Sequence, residues 1–454
     1  MPVKLTFLGG VGTVTGSKYL VETEGRRIMI DCGLFQGYKQ LRLRNWAKLS
    51  IDPASIDAVL LTHAHIDHSG YLPLLVKGGF RGPVICTDAT RDLCGILLPD
   101  SGHLQEKDAD FANRHGFSKH KPALPLYTQE DAEAALKRFR PVSFDKVVSL
   151  LGGLEARFLY AGHILGAAMI ELKCFDRKFL FSGDLGRPTD ILLHGPAAVE
   201  AADYLFVEST YGDRKHSADS ASDALAATIG QAAARGGTVL IPAFAVGRAQ
   251  ELLVHLYQLK LAKRIPDLPI FLDSPMAIDA SEIFCQYSRY HKMSEADVRS
   301  AFRVAKYTVT RDESKSLDVN GHPKVIISAS GMATGGRVLH HLRSYAPDPR
   351  STIVFVGFQA GGTRGAALIA GATMVKIHGQ YIPVRARVEH LQMLSAHADS
   401  DEILSWLRQL KALPRKTFVT HGELAASDAL RHRIGEELGW DCTVPEYRQE
   451  VELP

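Results

Sequence analysis

The chain has little of what marks several large protein classes. Its six cysteines, Cys32, Cys86, Cys94, Cys174, Cys285 and Cys442, are scattered through 454 residues with no C-x-x-C pair, which argues against a disulfide framework and a thiolate metal site and points to reduced, buried thiols. No apolar run approaches the ~20 residues that span a bilayer as a helix, so no membrane partner is expected. Met1-Pro2-Val3-Lys4 leads straight into a strand, so neither a signal peptide nor a further N-terminal module is expected, and the expected compartment is cytoplasmic. A formal net charge of +3 is too small to argue nucleic-acid binding from composition. Any such contact must come from local clusters such as Arg42-Leu43-Arg44, Lys119-His120-Lys121 and Arg385-Ala386-Arg387, each of which also reads as ordinary solvated surface. Repeats, low-complexity stretches and Pro-rich linkers are missing as well. What is there, 46% hydrophobic and 23% charged residues, can bury large cores and suits two domains.

The informative feature is Thr62-His63-Ala64-His65-Ile66-Asp67-His68, three imidazoles and a carboxylate directly after the apolar run Ala58-Val59-Leu60-Leu61. That run reads as a buried strand. Neutral imidazole and carboxylate are donors that Zn²⁺ takes, and a tight turn can aim several at one point. His63 and His65 alternate onto one side, whereas Asp67 and His68 follow one turn later, where the chain bends at Ser69-Gly70. Those two can face a second ion about 3.5–4 Å from the first, so the spacing suggests two metals.

The remaining ligands have candidates elsewhere. His163 lies between Gly162 and Gly166, which let the backbone come close, and is assigned to the first ion. Asp184 ends the strand-like run Lys178-Phe179-Leu180-Phe181-Ser182-Gly183 at a glycine turn, a position from which one carboxylate can bridge both ions. His421 ends Thr417-Phe418-Val419-Thr420 in the same way and completes the second. Each of these three, alone, reads as a turn or capping residue; only together with His63 to His68 do they make a site.

This set, with Asp31 after the strand Arg27-Ile28-Met29-Ile30, resembles the metallo-β-lactamase superfamily. Glu208 in Phe206-Val207-Glu208-Ser209-Thr210-Tyr211 and His397 in Ser395-Ala396-His397-Ala398-Asp399 resemble the additional motifs of its β-CASP nuclease branch, closest to the RNA-cutting members related to the polyadenylation-site endonuclease. The resemblance implies two Zn²⁺ ions, one held by His63, His65 and His163 and the other by Asp67, His68 and His421, with Asp184 shared. It places Asp67 and Asp31 among the catalytic residues, Asp31 orienting a ligand imidazole. It also implies that His397 acts as the general acid for the 3′ leaving oxygen and that Glu208 orients and charges it. The expected activity is hydrolysis of single-stranded RNA to 5′-phosphate and 3′-hydroxyl ends, endonucleolytic or from the 5′ end. A DNA nuclease of the same family is the main alternative, although His421 favours RNA by analogy. A small-ester hydrolase would have no use for His397, and a non-catalytic scaffold would have lost ligands. The resemblance also admits a homodimer.

Element order reads as α/β, two sheets sandwiched by helices with an inserted parallel α/β domain, and the resemblance implies a metallo-β-lactamase αββα sandwich with a β-CASP insert. The expected division is 1–209 for the first part of the metal domain, 210–388 for the insert and 389–454 for the second part. Strands are expected at Leu5–Leu8, Lys18–Val21, Ile28–Asp31 and Val59–Thr62, and a helix from Thr128 towards Arg138. After Tyr211 the pattern becomes alternating strand and helix, with strands at Thr238–Ile241, Ile270–Asp273, Val325–Ser328 and Ile353–Val356. Such an insert is expected to act as a lid that admits a single strand. Within it, Ser330 and Gly331, in Ala329-Ser330-Gly331-Met332, are candidate phosphate contacts, as is Arg248 after the loop Ala243-Phe244-Ala245-Val246-Gly247. Asp273-Ser274-Pro275-Met276 reads as a helix cap with proline in the first turn.

Overall fold

Strand alternation builds the first unit. In the runs Val3–Gly9, Lys18–Thr23 and Arg26–Ile30, every second side chain (Val3, Leu5, Phe7; Tyr19, Val21; Ile28, Ile30) enters one buried cluster. The strands Glu155–Tyr160, Ala168–Cys174, Arg177–Phe181 and Tyr204–Glu208 do the same from the opposite side. A period of two puts each set on one face of a sheet, so two sheets meet through these residues. Phe181, Phe206 and Phe418 stack along the second sheet, with ring centroids 4.2 and 5.0 Å apart, and Phe7 meets Phe418 from the first at 5.3 Å. Each fully buried ring of this kind contributes roughly 1.5–3 kcal/mol by leaving water. The intervening residues, such as Val59, Leu180, Leu205 and Val207, are also fully buried. Their faces are covered by helices: Asp88–His115 packs on the first sheet, and Leu424–Leu438 on the second.

The structure is a computed structural model and describes residues 2–116, 118–319 and 321–454. The first unit comprises residues 1–190, 194–215 and 397–454. One of its seven-stranded sheets has the order Glu450–Leu453, Val3–Gly9, Lys18–Thr23, Arg26–Ile30, Ala58–Leu60, Val84–Thr87, Phe139–Val142. The other has the order Cys442–Thr443, Lys416–Thr420, Tyr204–Glu208, Arg177–Phe181, Ala168–Cys174, Glu155–Tyr160, Val147–Ser149. This is the expected αββα sandwich. Arg26–Ile30 runs parallel to Ala58–Leu60, and Arg177–Phe181, Tyr204–Glu208 and Lys416–Thr420 run parallel to one another. The residues that follow these strands, Asp31, His63, Asp184 and His421, together with Glu208 itself, therefore gather at carboxyl ends, where open α/β sheets carry their sites.

The second unit comprises residues 191–193 and 216–396. Its six-stranded sheet is parallel throughout, in the order Lys306–Tyr307, Ile270–Asp273, Val325–Ser328, Val239–Pro242, Thr352–Val356, Arg387–Leu391. Its central strands are apolar without alternation, as expected where helices cover both faces. Val388–Leu391 pairs in register with Ile353–Val356, so these residues still belong to this sheet; the first unit resumes at His397. Ser274 caps the helix Pro275–Gln286, with Pro275 in its first turn. Among the described residues no helix is long and apolar enough to cross a membrane.

Candidate metal centre

The turn after Ala58–Leu60 is fixed by its own backbone. His65 carbonyl accepts from the His68 and Ser69 amides at 2.9 and 2.8 Å, which closes the one-turn helix Ile66–Ser69, and Ser69 Oγ donates back to the Ala64 carbonyl at 2.8 Å. From below, Cys32 N donates to His68 O (2.7 Å) and Ser17 N to Asp67 O (2.9 Å). Gly33 is required there: a Cβ at this position would lie 1.6 Å from the Asp67 carbonyl oxygen.

The result is two groups of donor atoms. His65 Nδ1 lies 3.2 Å from both His63 Nε2 and His163 Nε2, and Asp184 Oδ2 lies 3.4 and 3.5 Å from the same two nitrogens. In the second group, His68 Nε2 is 3.1 Å from His421 Nε2, which is 3.6 Å from Asp67 Oδ2. Asp184 joins both groups, because its Oδ1 faces His68 Nε2 at 3.2 Å and His421 Nδ1 at 3.4 Å, in poor alignment for hydrogen bonds. Donors bound at about 2.0–2.1 Å around one tetrahedral ion sit about 3.3 Å apart. Five imidazoles and two carboxylates with no thiolate form a nitrogen and oxygen donor set that suits zinc. The residues present thus fit two metal ions, with Asp184 between them.

Electrostatics agree. Burial, reinforced by the neighbouring imidazole of His68, holds His63 well below its ordinary pKa, and burial brings His65 to about 4. These rings are neutral lone-pair donors near pH 7. Burial opposes charge on His68 too, but Asp184 and Asp31 outweigh it and raise that ring well above its ordinary value.

Three residues around the ligands fix their tautomers. Asp31 accepts from Thr62 N (2.7 Å), Thr62 Oγ1 (2.9 Å) and His68 Nδ1 (2.7 Å), which turns His68 Nε2 towards the cluster. With its proton given to Asp31, the Thr62 hydroxyl is left to accept from His63 Nδ1 at 3.0 Å. Thr210 repeats the arrangement, donating to Glu208 Oε2 at 2.6 Å and facing His421 Nδ1 at 3.2 Å. Sequence reasoning missed both threonines, although each stands within two residues of a motif residue.

Glu208 is fully buried, and its Oε1 accepts from Leu185 N at 2.6 Å. Both carboxylate oxygens reach His397 Nδ1, at 3.2 and 3.0 Å. His397 is steered into place by Ala398 N donating to Leu185 O and by Asp399, which caps Ser400–Leu407 in a reciprocal box with Glu402. Its ring centroid is 4.4 Å from that of His163. Burial disfavours its charge, yet Glu208, with Asp184 and Asp67 behind, raises its pKa above the ordinary value.

The structure therefore brings together Asp31, His63, His65, Asp67, His68, His163, Asp184, Glu208, His397 and His421. The three expected substrate contacts, Arg248, Ser330 and Gly331, belong to the second unit. Arg248 is buried, its guanidinium ion-paired with Glu251 one helical turn on and donating to the Leu394 carbonyl at 3.1 Å. Ser330 Oγ accepts from Thr334 N at 3.0 Å, a turn closure, and Gly331 is packed so tightly that a Cβ would meet Phe244 at 2.7 Å.

Comparison with known proteins agrees with this geometry. The model of the metallo-β-lactamase superfamily matches residues 11–226, that of the Beta-Casp domain 249–368, and that of the Zn-dependent metallo-hydrolase RNA specificity domain 381–445. The chain is 39% identical over 433 residues to Ribonuclease TTHA0252 of Thermus thermophilus, covering 93% of each chain. It is 31% identical to the transcription termination factor FttA of Methanocaldococcus jannaschii, over 93% of this chain and 67% of that one. A solved protein of unknown function from Enterococcus faecalis shares the fold along the whole of both chains, with a TM-score of 0.54 at 12% identity. The chain belongs to the β-CASP branch of the metallo-β-lactamase superfamily and is a metal-dependent hydrolase.

Proposed function

We propose that the chain is a two-zinc ribonuclease that hydrolyses single-stranded RNA to 5′-phosphate and 3′-hydroxyl ends. The observation that carries the reading is the pairing of two donor groups through Asp184 with a separate imidazole, His397, held by a buried carboxylate beside them. His63, His65 and His163 would hold one ion, Asp67, His68 and His421 the other, and Asp184 both. When bound, two such ions acidify the attacking water and offset charge on the phosphoryl oxygens. The chain's own residues do the rest. Asp31 and Thr62 keep His68 and His63 in the tautomers that present Nε2, and Thr210 does so for His421. Glu208 accepts a hydrogen bond from Nδ1–H of His397, which leaves Nε2–H as the proton delivered to the departing 3′ oxygen. A leaving alkoxide needs that proton, and a ring raised above its ordinary pKa still carries it near neutrality.

RNA is favoured over DNA by the match to the RNA specificity domain, which spans both His397 and His421, and by the name of the ribonuclease relative. Six unpaired cysteines, five of them buried, support a reducing compartment such as the cytoplasm. The test is incubation of the zinc-loaded protein with 5′-labelled and internally labelled single-stranded RNA beside DNA of matching sequence. RNA-selective cutting with 5′-phosphate ends is expected, and its pattern separates endonucleolytic from 5′-exonucleolytic action. Equal cutting of DNA would assign a general nuclease, and no cutting of either by protein carrying two zincs would contradict the proposal.

A further inference from the structure

The segment after Asp31 carries more than the metal turn. From Cys32 to Ile51 the sequence has no aspartate or glutamate, yet it holds Lys39, Arg42, Arg44 and Lys48. In the first unit this segment walls a cleft lined by Lys18, Phe35, Arg44, Lys48, Tyr447 and Arg448 among others, and by no carboxylate.

Its cations are not neutralised from within. Among the described residues none of Lys18, Arg44, Lys48 and Arg448 has an acidic group within ion-pair distance. Instead Lys18, Arg44 and Arg448 sit on aromatic faces. The Arg44 guanidinium lies 4.1 Å from the Tyr447 ring centroid and Arg448 lies 5.2 Å from it, and Phe35 meets Tyr447 edge-on at 6.0 Å. At the back, Lys18 is 2% exposed, with its ammonium 4.7 Å from the rings of both Phe35 and Tyr71. It donates to the Gly33 and Gly16 carbonyls, which leaves a third proton without an acceptor among the described residues. A buried ammonium with no anion is costly unless one arrives. Burial brings its pKa down to about 8. On the rim, Trp46 is 58% exposed, a large apolar face with nothing on it.

Unpaired cations interleaved with aromatic faces are what a single strand needs: charge for phosphates and flat surfaces for bases. We propose that this cleft is a binding site for one phosphate-and-base unit of a single-stranded RNA, a contact separate from the metal ligands that adds affinity for a long substrate. The proposal rests on the ribonuclease reading above and extends it. The cleft is tied to the metal turn by a short chain of bonds: Lys18 to the Gly33 carbonyl, Gly33 N to Ser17 O at 3.0 Å, and Ser17 N to Asp67 O at 2.9 Å. A strand held here is anchored on the same loop that carries Asp31.

The test uses zinc-loaded protein in two forms. Binding of a 5′-fluorescein single-stranded RNA is read by anisotropy in a His397→Ala background, and turnover of a long RNA and of a dinucleotide is read in the otherwise native chain. The triple variant Arg44→Ala/Lys48→Ala/Arg448→Ala should bind RNA about 10- to 100-fold more weakly, with a log affinity against log salt slope shallower by about 2. Tyr447→Ala should weaken binding by about tenfold, and Tyr447→Phe, which keeps the ring, should restore it. In turnover, KM for the long RNA should rise while kcat and the dinucleotide reaction stay as in the wild type. Unchanged RNA affinity in both variants would overturn the proposal, as would a dinucleotide reaction that falls in parallel. Loss of inorganic phosphate binding with RNA affinity intact would make the cleft a free-anion site and also overturn it. A wild type that cuts no RNA would fail the ribonuclease reading alone, because anisotropy still decides the cleft.

Discussion

Two buried histidine clusters, one in each unit, show opposite electrostatic designs. In the second unit His341 is fully buried, with Nε2 2.6 Å from Asp273 Oδ2 and Nδ1 2.7 Å from Asp318 Oδ1. Ser314 Oγ and Arg337 Nη1 also donate to Asp273, each at 2.6 Å, and Arg337 continues to the carbonyls of Thr308 and Val309. Burial alone would strip the proton from this ring, yet the two carboxylates raise its pKa, and the same partners hold Asp273 below the usual carboxylate range against its own burial. Every group in this network has an answering partner inside the protein. In the first unit the Nε2 atoms of His63 and His163 each face His65 Nδ1 at 3.2 Å, and Asp184 Oδ1 is buried without a well-aligned donor. A satisfied network fastens a strand end to two helices; a set of lone pairs converging on one point is arranged for a cation.

Substitutions sharpen the contrast. His397→Ala should lower RNA hydrolysis by about 10²–10⁴-fold while zinc content, read by elemental analysis, stays unchanged. Retained activity would remove the general-acid role. On the other side, His341→Gln should destabilise the second unit by about 3 kcal/mol, because it leaves a buried carboxylate short of its partner, with zinc content again unchanged. Denaturant unfolding reads that loss, and an unaffected transition would break the distinction between the clusters.

The pH dependences differ in kind. His397 must be protonated to act, and its pKa is raised, so activity should fall as pH rises through a value above 6.5. Glu208→Gln should move that limb to lower pH, which a pH–kcat profile detects. For His341 the folded pKa is also raised, so its stabilisation is complete below 6.5 and lost as pH climbs through the folded value. Asp273 is lowered, so its contribution is present above 3.8 and lost as pH falls through its folded value. Amide protection factors, corrected for the intrinsic pH dependence of exchange, should therefore be largest between these limits in the helices Arg311–Val319 and Val338–Tyr345, a smaller effect than either substitution.

Much of this was legible in the sequence, and unevenly so. The run His63 to His68 concentrates its ligands in six residues, and Asp31, Asp184 and His421 each follow a short apolar run, so periodicity alone marked their strand ends. The αββα sandwich and parallel insert followed from the switch between alternating strands and strand-helix repeats, and the helix Gln129–Leu136 carries the capping box Thr128/Asp131 that its sequence announces. The 28-residue helix Asp88–His115 was obscured by Gly95, Pro99 and Gly102 inside it. Asp273 and His341 are 68 positions apart, and only parallel pairing of intervening strands joins them. The ion pair of Arg248 was legible too: Glu251, three residues on, is on the same helical face.

The central claim is that one constellation holds two metal ions with Asp184 between them. Zinc bound per chain, measured by native mass spectrometry, tests it most directly. The account predicts two zincs in the wild type, one in His163→Ala and one in His421→Ala, and loss of the paired state in Asp184→Asn. A single zinc in the wild type, or two zincs in all three variants, would contradict it.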